Sequence, residues 1–154
     1  MIRLLIPSVW LFAGVAMAGP LVADSLPAPV QYASAWVTSG TQTVTVGSIP
    51  QYAVVTMVRV YVNTVFNGSV ANTIQVGYTG ADAALAGNTT MSDGSTGWVT
   101  LTAGTYCTSW AAPNVCPPLD TSRVIVAKHI KGGTEPTTGK ALVIVEYQPA
   151  PATP

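Results

Sequence analysis

Charge is what this sequence has least of. Six basic and six acidic residues make up 8% of 154 positions, where a globular domain carries about 25%. Disorder is excluded, because a disordered chain combines high net charge with few apolar groups, and here the net charge is zero and apolar residues reach 49%. The surface of an ordinary cytosolic monomer, rich in Lys and Glu, is a poor fit as well. A charge-poor exterior of Thr, Ser, Gly and Ala suits a secreted protein, a fibre or a subunit of a large assembly. The basic residues Arg3, Arg59, Arg123, Lys128, Lys131 and Lys140 are scattered. Only KHIK, residues 128–131, is locally basic, which is too little to track a phosphate backbone and argues against nucleic acid as a partner.

Catalytic side chains are scarce too. The single histidine, His129, has no neighbouring nucleophile and orienting acid; it reads as a surface residue at a strand end. No G-x-S-x-G occurs. TEPTTGKA resembles a phosphate loop around Gly139-Lys140, but Thr134 stands where its first glycine should be and Ala141 where Ser or Thr should follow the lysine. Asp82 and Asp93 flank one loop region, yet they lack the dense Asp/Asn spacing of a calcium loop. Turn chemistry accounts for Asp93, and a charge at the start of a short helical turn over Ala81–Gly87 accounts for Asp82. The expectation is a protein without enzymatic activity, cofactor or metal.

Two cysteines, Cys107 and Cys116, flank a Pro-containing loop, YCTSWAAPNVCPP. They fit a disulfide worth about 2–3 kcal/mol, or two free, partly buried thiols in a reducing setting. Zinc would want four ligands, and only His129 is left to join them.

What the chain has in quantity is β-branched residues, with 14 glycines and 12 prolines as punctuation. From Gln31 onward the pattern has a period of two. TQTVTVGSIP, AVVTMVRVYVNT, NTIQVGY, GWVTLTAG, SRVIVAKHI and KALVIVEY read as strands. In the second, Val54, Thr56, Val58, Val60 and Val62 are expected on the core face. Ile74, Val76 and Tyr78 point inward in the third, and Ala141, Val143, Val145 and Tyr147 share a face in the last. Asn67-Gly68, Asp93-Gly94 and Gly132-Gly133 read as tight turns. The fold class is all-β, an antiparallel β-sandwich that is jelly-roll-like or immunoglobulin-like. Its expected span is residues 31–148, followed by a Pro-rich tail at 149–154.

Residues 1–23 form an apolar segment, joined through a Pro-rich linker at 24–30. Arg3, the apolar run and Ala16-Met17-Ala18 before Gly19 match a signal peptide. The uncharged stretch Leu4–Ala23 is also long enough to contact or cross a membrane, or to serve as an assembly arm through Trp10, Leu11 and Phe12. Trp36, Trp98, Trp110, Tyr52, Tyr61 and Tyr106 read first as core or core-edge packing, with sugar stacking or a subunit interface as the other reading. Trp110, in the cysteine loop, is expected to be the most exposed. Arg59, Tyr61 and Trp110 join Trp10, Leu11 and Phe12 as candidate assembly contacts. Asn67-Gly-Ser69 and Asn88-Thr-Thr90 are formal glycosylation sequons.

The stretch IPQYAVVTMVRVYVNTVFNGSVANTIQVGYTGADAALAGN, Ile49 to Asn88, with the final strand KALVIVEY, resembles small β-sandwich virion proteins of tailed bacteriophages, of the head-decoration and head-fibre type. The resemblance covers about half the chain and does not include the apolar leader. It implies a non-enzymatic sandwich that binds a capsid or tail surface as a symmetric homo-oligomer. Its partners would be the major capsid protein or other virion subunits, and its place the virion. Two other readings stand beside it: an exported bacterial surface subunit, adhesin or pilus-like, after signal-peptide cleavage; and a carbohydrate-binding module.

Overall fold

The computed structural model describes residues 29–40, 42–68, 70–91, 96–107 and 116–150. The apolar leader with Trp10, Leu11 and Phe12, the Asp93-Gly94 turn and Trp110 lie outside the described residues. Every regular element among them is a strand: β1 (Gln31–Thr38), β2 (Thr43–Ile49), β3 (Val54–Thr64), β4 (Val70–Tyr78), β5 (Ala81–Thr90), β6 (Gly97–Val99), β7 (Arg123–Gly132) and β8 (Lys140–Gln148).

The strands form two antiparallel four-stranded sheets, ordered β1-β8-β3-β6 and β2-β7-β4-β5. First pairs with last, second with seventh, third with sixth and fourth with fifth. Such a chain is one long hairpin, doubled back between β4 and β5 and then rolled up so that β8 also meets β3 and β7 also meets β4. That order is the eight-stranded jelly roll, and it decides against the immunoglobulin-like alternative, whose strands divide differently between the sheets.

The two sheets share one apolar core. β8 shows the period of two without interruption: Ala141, Val143, Val145 and Tyr147 are buried, and the residues between them are not. β4 likewise buries Ile74, Val76 and Tyr78. In β3 the expected core face needs correcting. A bulge between Val55 and Met57 inserts an extra residue against β8, so the inward set is Val55, Val58, Val60 and Val62, while Val54 and Thr56 are only half-buried. A bulge reverses which face a residue occupies. A similar shift in β2 between Thr45 and Gly47 turns Gly47 toward Ala33 of the facing sheet, where a Cβ would press on the alanine side chain at 2.8 Å.

Two segments depart from expectation. Ala81–Gly87 is part of β5 and not a helical turn. The alanines serve close backbone approach: residues 104–107 run alongside, with Tyr106 N and Cys107 N both donating to Ala84 O at 2.8 and 3.2 Å. Gly104 lies so close to Ala84 that a Cβ would overlap its backbone. Packing thus overrides the helix propensity of alanine. Asn67-Gly68 is not a tight turn of positive φ; of the expected turn glycines described, Gly133 (φ 69°) takes that conformation. Asn67 instead clamps the loop before β8, its Oδ1 accepting from Thr137 N and Thr138 N at 2.9 and 3.0 Å and its Nδ2 donating to Thr137 Oγ1 at 2.9 Å. The next residue in that loop, Gly139, has φ 146° and faces the buried Phe66 ring, which a Cβ would overlap.

Gly40 also has positive φ (83°), but a Cβ there meets open space. Gly40→Ala is therefore expected to cost about 1 kcal/mol for backbone strain alone, and Gly139→Ala about 3 kcal/mol or more, because Phe66 must also move. Urea unfolding of the two variants checks the difference.

Candidate functional site: the outer face of the β1-β8-β3-β6 sheet

Because β8 lies between β1 and β3, three rows of outward residues cross this sheet. Trp36, Leu142, Tyr61 and Trp98 stand in register across all four strands. Ser34, Ile144 and Arg59 form the next row, and Tyr32, Glu146 and Met57 the third. Trp36, Trp98 and Tyr32 are 44%, 61% and 65% exposed. The core reading thus fails for Trp36 and Trp98, and for Tyr52, which is exposed at a turn. Their neighbours in the strands, such as Val37 and Val60, take the inward positions, and in a strand the next residue must point out.

The aromatic rings are held in place. Tyr61 meets Trp98 edge-on at 5.2 Å between centroids. The Arg59 guanidinium lies 6.0 Å from the Trp98 ring centroid, and Arg59 Nε also contacts Met57 Sδ. Lys140 Nζ sits 4.3 Å over Trp36, a cation–π contact. Tyr32, Ser34, Arg59, Ile144 and Glu146 border a hollow of about 320 Å³. Glu146 Oε1 accepts from Thr56 Oγ1 at 3.2 Å. At the edge near β6, a more polar hollow of about 390 Å³ is lined by Asn88, Thr90, Thr102 and Trp98 among others.

Charge divides the molecule. Arg123 pairs with Asp120, Lys128 with Asp82 and Lys131 with Glu135, at 2.7–2.8 Å. All three pairs draw their cation from β7, in the other sheet. Asp82 is thus an ion-pair partner and not a helix-start charge. Among the described residues, Arg59, Lys140 and Glu146 take no part in an ion pair, and all three lie on the β1-β8-β3-β6 sheet. The described residues contain no group of three or more His, Cys, Asp and Glu side chains able to hold a metal ion.

Elsewhere, polar groups serve structure. His129 is not a surface residue. It is 6% exposed, its Nε2 lies 3.1 Å from Asn72 Oδ1, and its ring is 4.8 Å from Phe66. Inward register on β7 explains the burial. Burial holds its pKa below the ordinary 6.5, with Glu135 pulling up and Lys131 pushing down. Cys107 and Cys116 are disulfide-bonded, with Cα atoms 4.4 Å apart. The bond ties the segment along β5 to the one where Leu119 N donates to Ala53 O at 2.9 Å. Beside it, Tyr106 Oη donates to Pro118 O at 2.8 Å and meets Tyr78 edge-on at 5.6 Å. The Tyr78 hydroxyl is buried with no hydrogen-bond partner among the described residues, and burial pushes its pKa up. Of the sequon asparagines, Asn67 is engaged in its loop clamp, and Asn88 Oδ1 accepts from Gln75 Nε2 at 2.7 Å.

No protein-family model and no curated protein matches the sequence. Two solved structures share the fold. A chain in the cyanophage Pam1 capsid asymmetric unit is 15% identical with a TM-score of 0.60, and the match covers 96% of this chain and 94% of that one. A chain in the acidic stable capsid structure of Helicobacter pylori bacteriophage KHP30 is 15% identical with a TM-score of 0.58, covering 80% of this chain and 90% of that one. The likeness is one of fold.

Two stability tests follow from the buried groups. Burial makes the folded His129 hold its proton less tightly than in the unfolded chain, so the unfolded chain takes up its proton first as pH falls. Stability is full above about pH 6.5 and declines below it toward the lower folded value. Urea midpoints between about pH 7.5 and 5 should show this decline, and His129→Gln should flatten it. Tyr78→Phe removes an unpaired hydroxyl and should be neutral or stabilising, whereas Tyr106→Phe removes a made hydrogen bond and should cost about 1 kcal/mol. Thermal melts of both variants decide.

Proposed function

We propose that this protein is a non-enzymatic structural subunit of a phage virion, attached to the particle surface as capsid decoration or cement, or as a fibre subunit. One observation carries the reading: the fold matches a chain in one phage capsid structure nearly end to end, and a chain in a second over 80% of this chain's length. The outer face described above supports it. A capsid repeats one modest interface many times, so avidity makes up for weak single contacts, and an exposed aromatic row with few charges is the composition of an interface centre. Arg59 and Tyr61 lie on that face; the other candidate assembly contacts, Trp10, Leu11, Phe12 and Trp110, are outside the described residues. The partners would be the major capsid protein, other virion subunits and further copies of this chain. The exported-subunit reading gains no support from the comparisons. Glycan binding is a second reading, favoured by the polar hollow beside Trp98, and glycan-array binding lost on Trp98→Ala would establish it.

Quantitative mass spectrometry of purified particles tests the main reading. The protein should co-purify at a copy number tied to capsid symmetry. Recovery only from the culture supernatant would reject it.

A further inference from the structure

The outer face of the β1-β8-β3-β6 sheet combines three properties that bear on what covers it. The first is apolar continuity, in the row Trp36, Leu142, Tyr61, Trp98, with Ile144 and Met57 alongside. Trp36 and Trp98 are exposed and the other four are half-buried, and a contiguous exposed apolar patch is a mark of an interaction site. The second is size. Strands spaced about 4.8 Å apart, rising about 3.4 Å per residue, make this face roughly 500 Å² in projection. Two such faces together reach about 1,000 Å², the lower bound for a specific interface.

The third is charge. Arg59 and Glu146 border the same hollow, and neither makes an ion pair among the described residues, with the other or with any further group. They sit on a diagonal, because Arg59 is opposite Ile144 and Met57 is opposite Glu146. Elsewhere on the molecule the cations of β7 have found local acids, so the chain does not generally leave such charges open.

A face that carries one cation and one anion around a central hollow is self-complementary. A two-fold axis lying in the plane of the face, between Arg59 and Glu146, brings Arg59 of one copy over Glu146 of the other and satisfies both charges twice. That is the property an isologous interface requires. We infer that this face binds a second copy of the same chain, forming a two-fold dimer through reciprocal Arg59–Glu146 pairs, with each copy's aromatic row beside them. The inference rests on the virion reading only for its biological setting, since the dimer follows from the face itself.

The experiment is a charge-reversal cycle on the full chain, read by sedimentation equilibrium. The unmodified protein is dimeric at micromolar concentration. Arg59→Glu and Glu146→Arg, made singly, each put like charges together at both ends of the pair and weaken self-association by about tenfold or more; the double variant restores the pairs with reversed sign and recovers most of the affinity. Ser34→Trp, at an exposed position in the hollow, blocks docking without touching the core, and far-UV circular dichroism checks that every variant is folded. A monomeric unmodified chain overturns the inference, whatever else covers the face. Association unaffected by the single reversals also overturns it and assigns self-association to another part of the chain. So does a cycle in which the singles lower occupancy on particles while the double brings no recovery, which assigns the face to a shell protein. A dimer with reciprocal rescue that is absent from particles keeps the inference and rejects the virion reading.

Discussion

Everything in the first sheet depends on the insertion of β8 between β1 and β3. Nine residues near the end of the chain close the fold, since β8 supplies Ala141, Val143, Val145 and Tyr147 to the core and Leu142, Ile144 and Glu146 to the outer face. Core and candidate site are therefore the two sides of one strand. With a side-chain period of two, a slip of one residue would exchange them. The register is held at its start by the Asn67 clamp on residues 137–138 and by the Phe66 ring against Gly139, and at its end by Tyr147 Oη donating to Gln31 Oε1 at 2.9 Å.

The shortage of charge gives the few charges more meaning. On a surface crowded with Lys and Glu, an unpaired Arg says little, because such pairs contribute about 0–1 kcal/mol and form or break freely. Here the ion pairs of β7 organise the second sheet's side of the molecule, with Lys128 reaching Asp82 near the start of β5. The first sheet's outer face has been left with Arg59, Lys140 and Glu146 among aromatic and aliphatic groups. The two sheets are alike in strand number and unlike in exterior, which gives the molecule one face suited to protein contact.

The strands whose two faces differ were legible in the sequence. β8 alternates without a break and β4 does so from Asn72 to Val76, and Ile74, Val76 and Tyr78 of β4 and Ala141, Val143, Val145 and Tyr147 of β8 point inward as expected. β3 was legible as a strand and, at Val58, Val60 and Val62, in its facing; the facing of Val54 and Thr56 was not, because apolar residues occur on both sides of the strand and the bulge at Thr56 is fixed by pairing with residues about 90 positions away. β1, QYASAWVT, escaped for the opposite reason. Its large residues, Tyr32 and Trp36, point outward, and its small ones, Ala33 and Ala35, point in, where Gly47 of the facing sheet leaves little room. β5 was obscured by alanine, whose helix propensity says nothing of the neighbouring backbone that small side chains admit. For the site, Arg59 and Tyr61 could be singled out from the pattern of β3. Trp36, Trp98 and Glu146 join them only through the pairing of first strand with last and third with sixth, which no local pattern encodes.

That same long-range pairing makes the exposed face a hazard while the chain folds. A rolled hairpin is rich in contacts between distant residues, and such folds form slowly and expose strand edges and apolar surface while they do so. A long, flat, apolar face would be an aggregation hazard in a protein that worked alone. Here β6 is only three residues long, so the sheet is cut short at that edge. The guanidinium of Arg59 and the ammonium of Lys140 cap the two exposed tryptophans. Two cations thus rest on the exposed rings, in contacts weak enough to be given up. A partner that offers a carboxylate to Arg59 can replace the contact with Trp98 and cover the ring in the same motion. The two cation contacts cover the rings and are weak enough for a partner's groups to replace them.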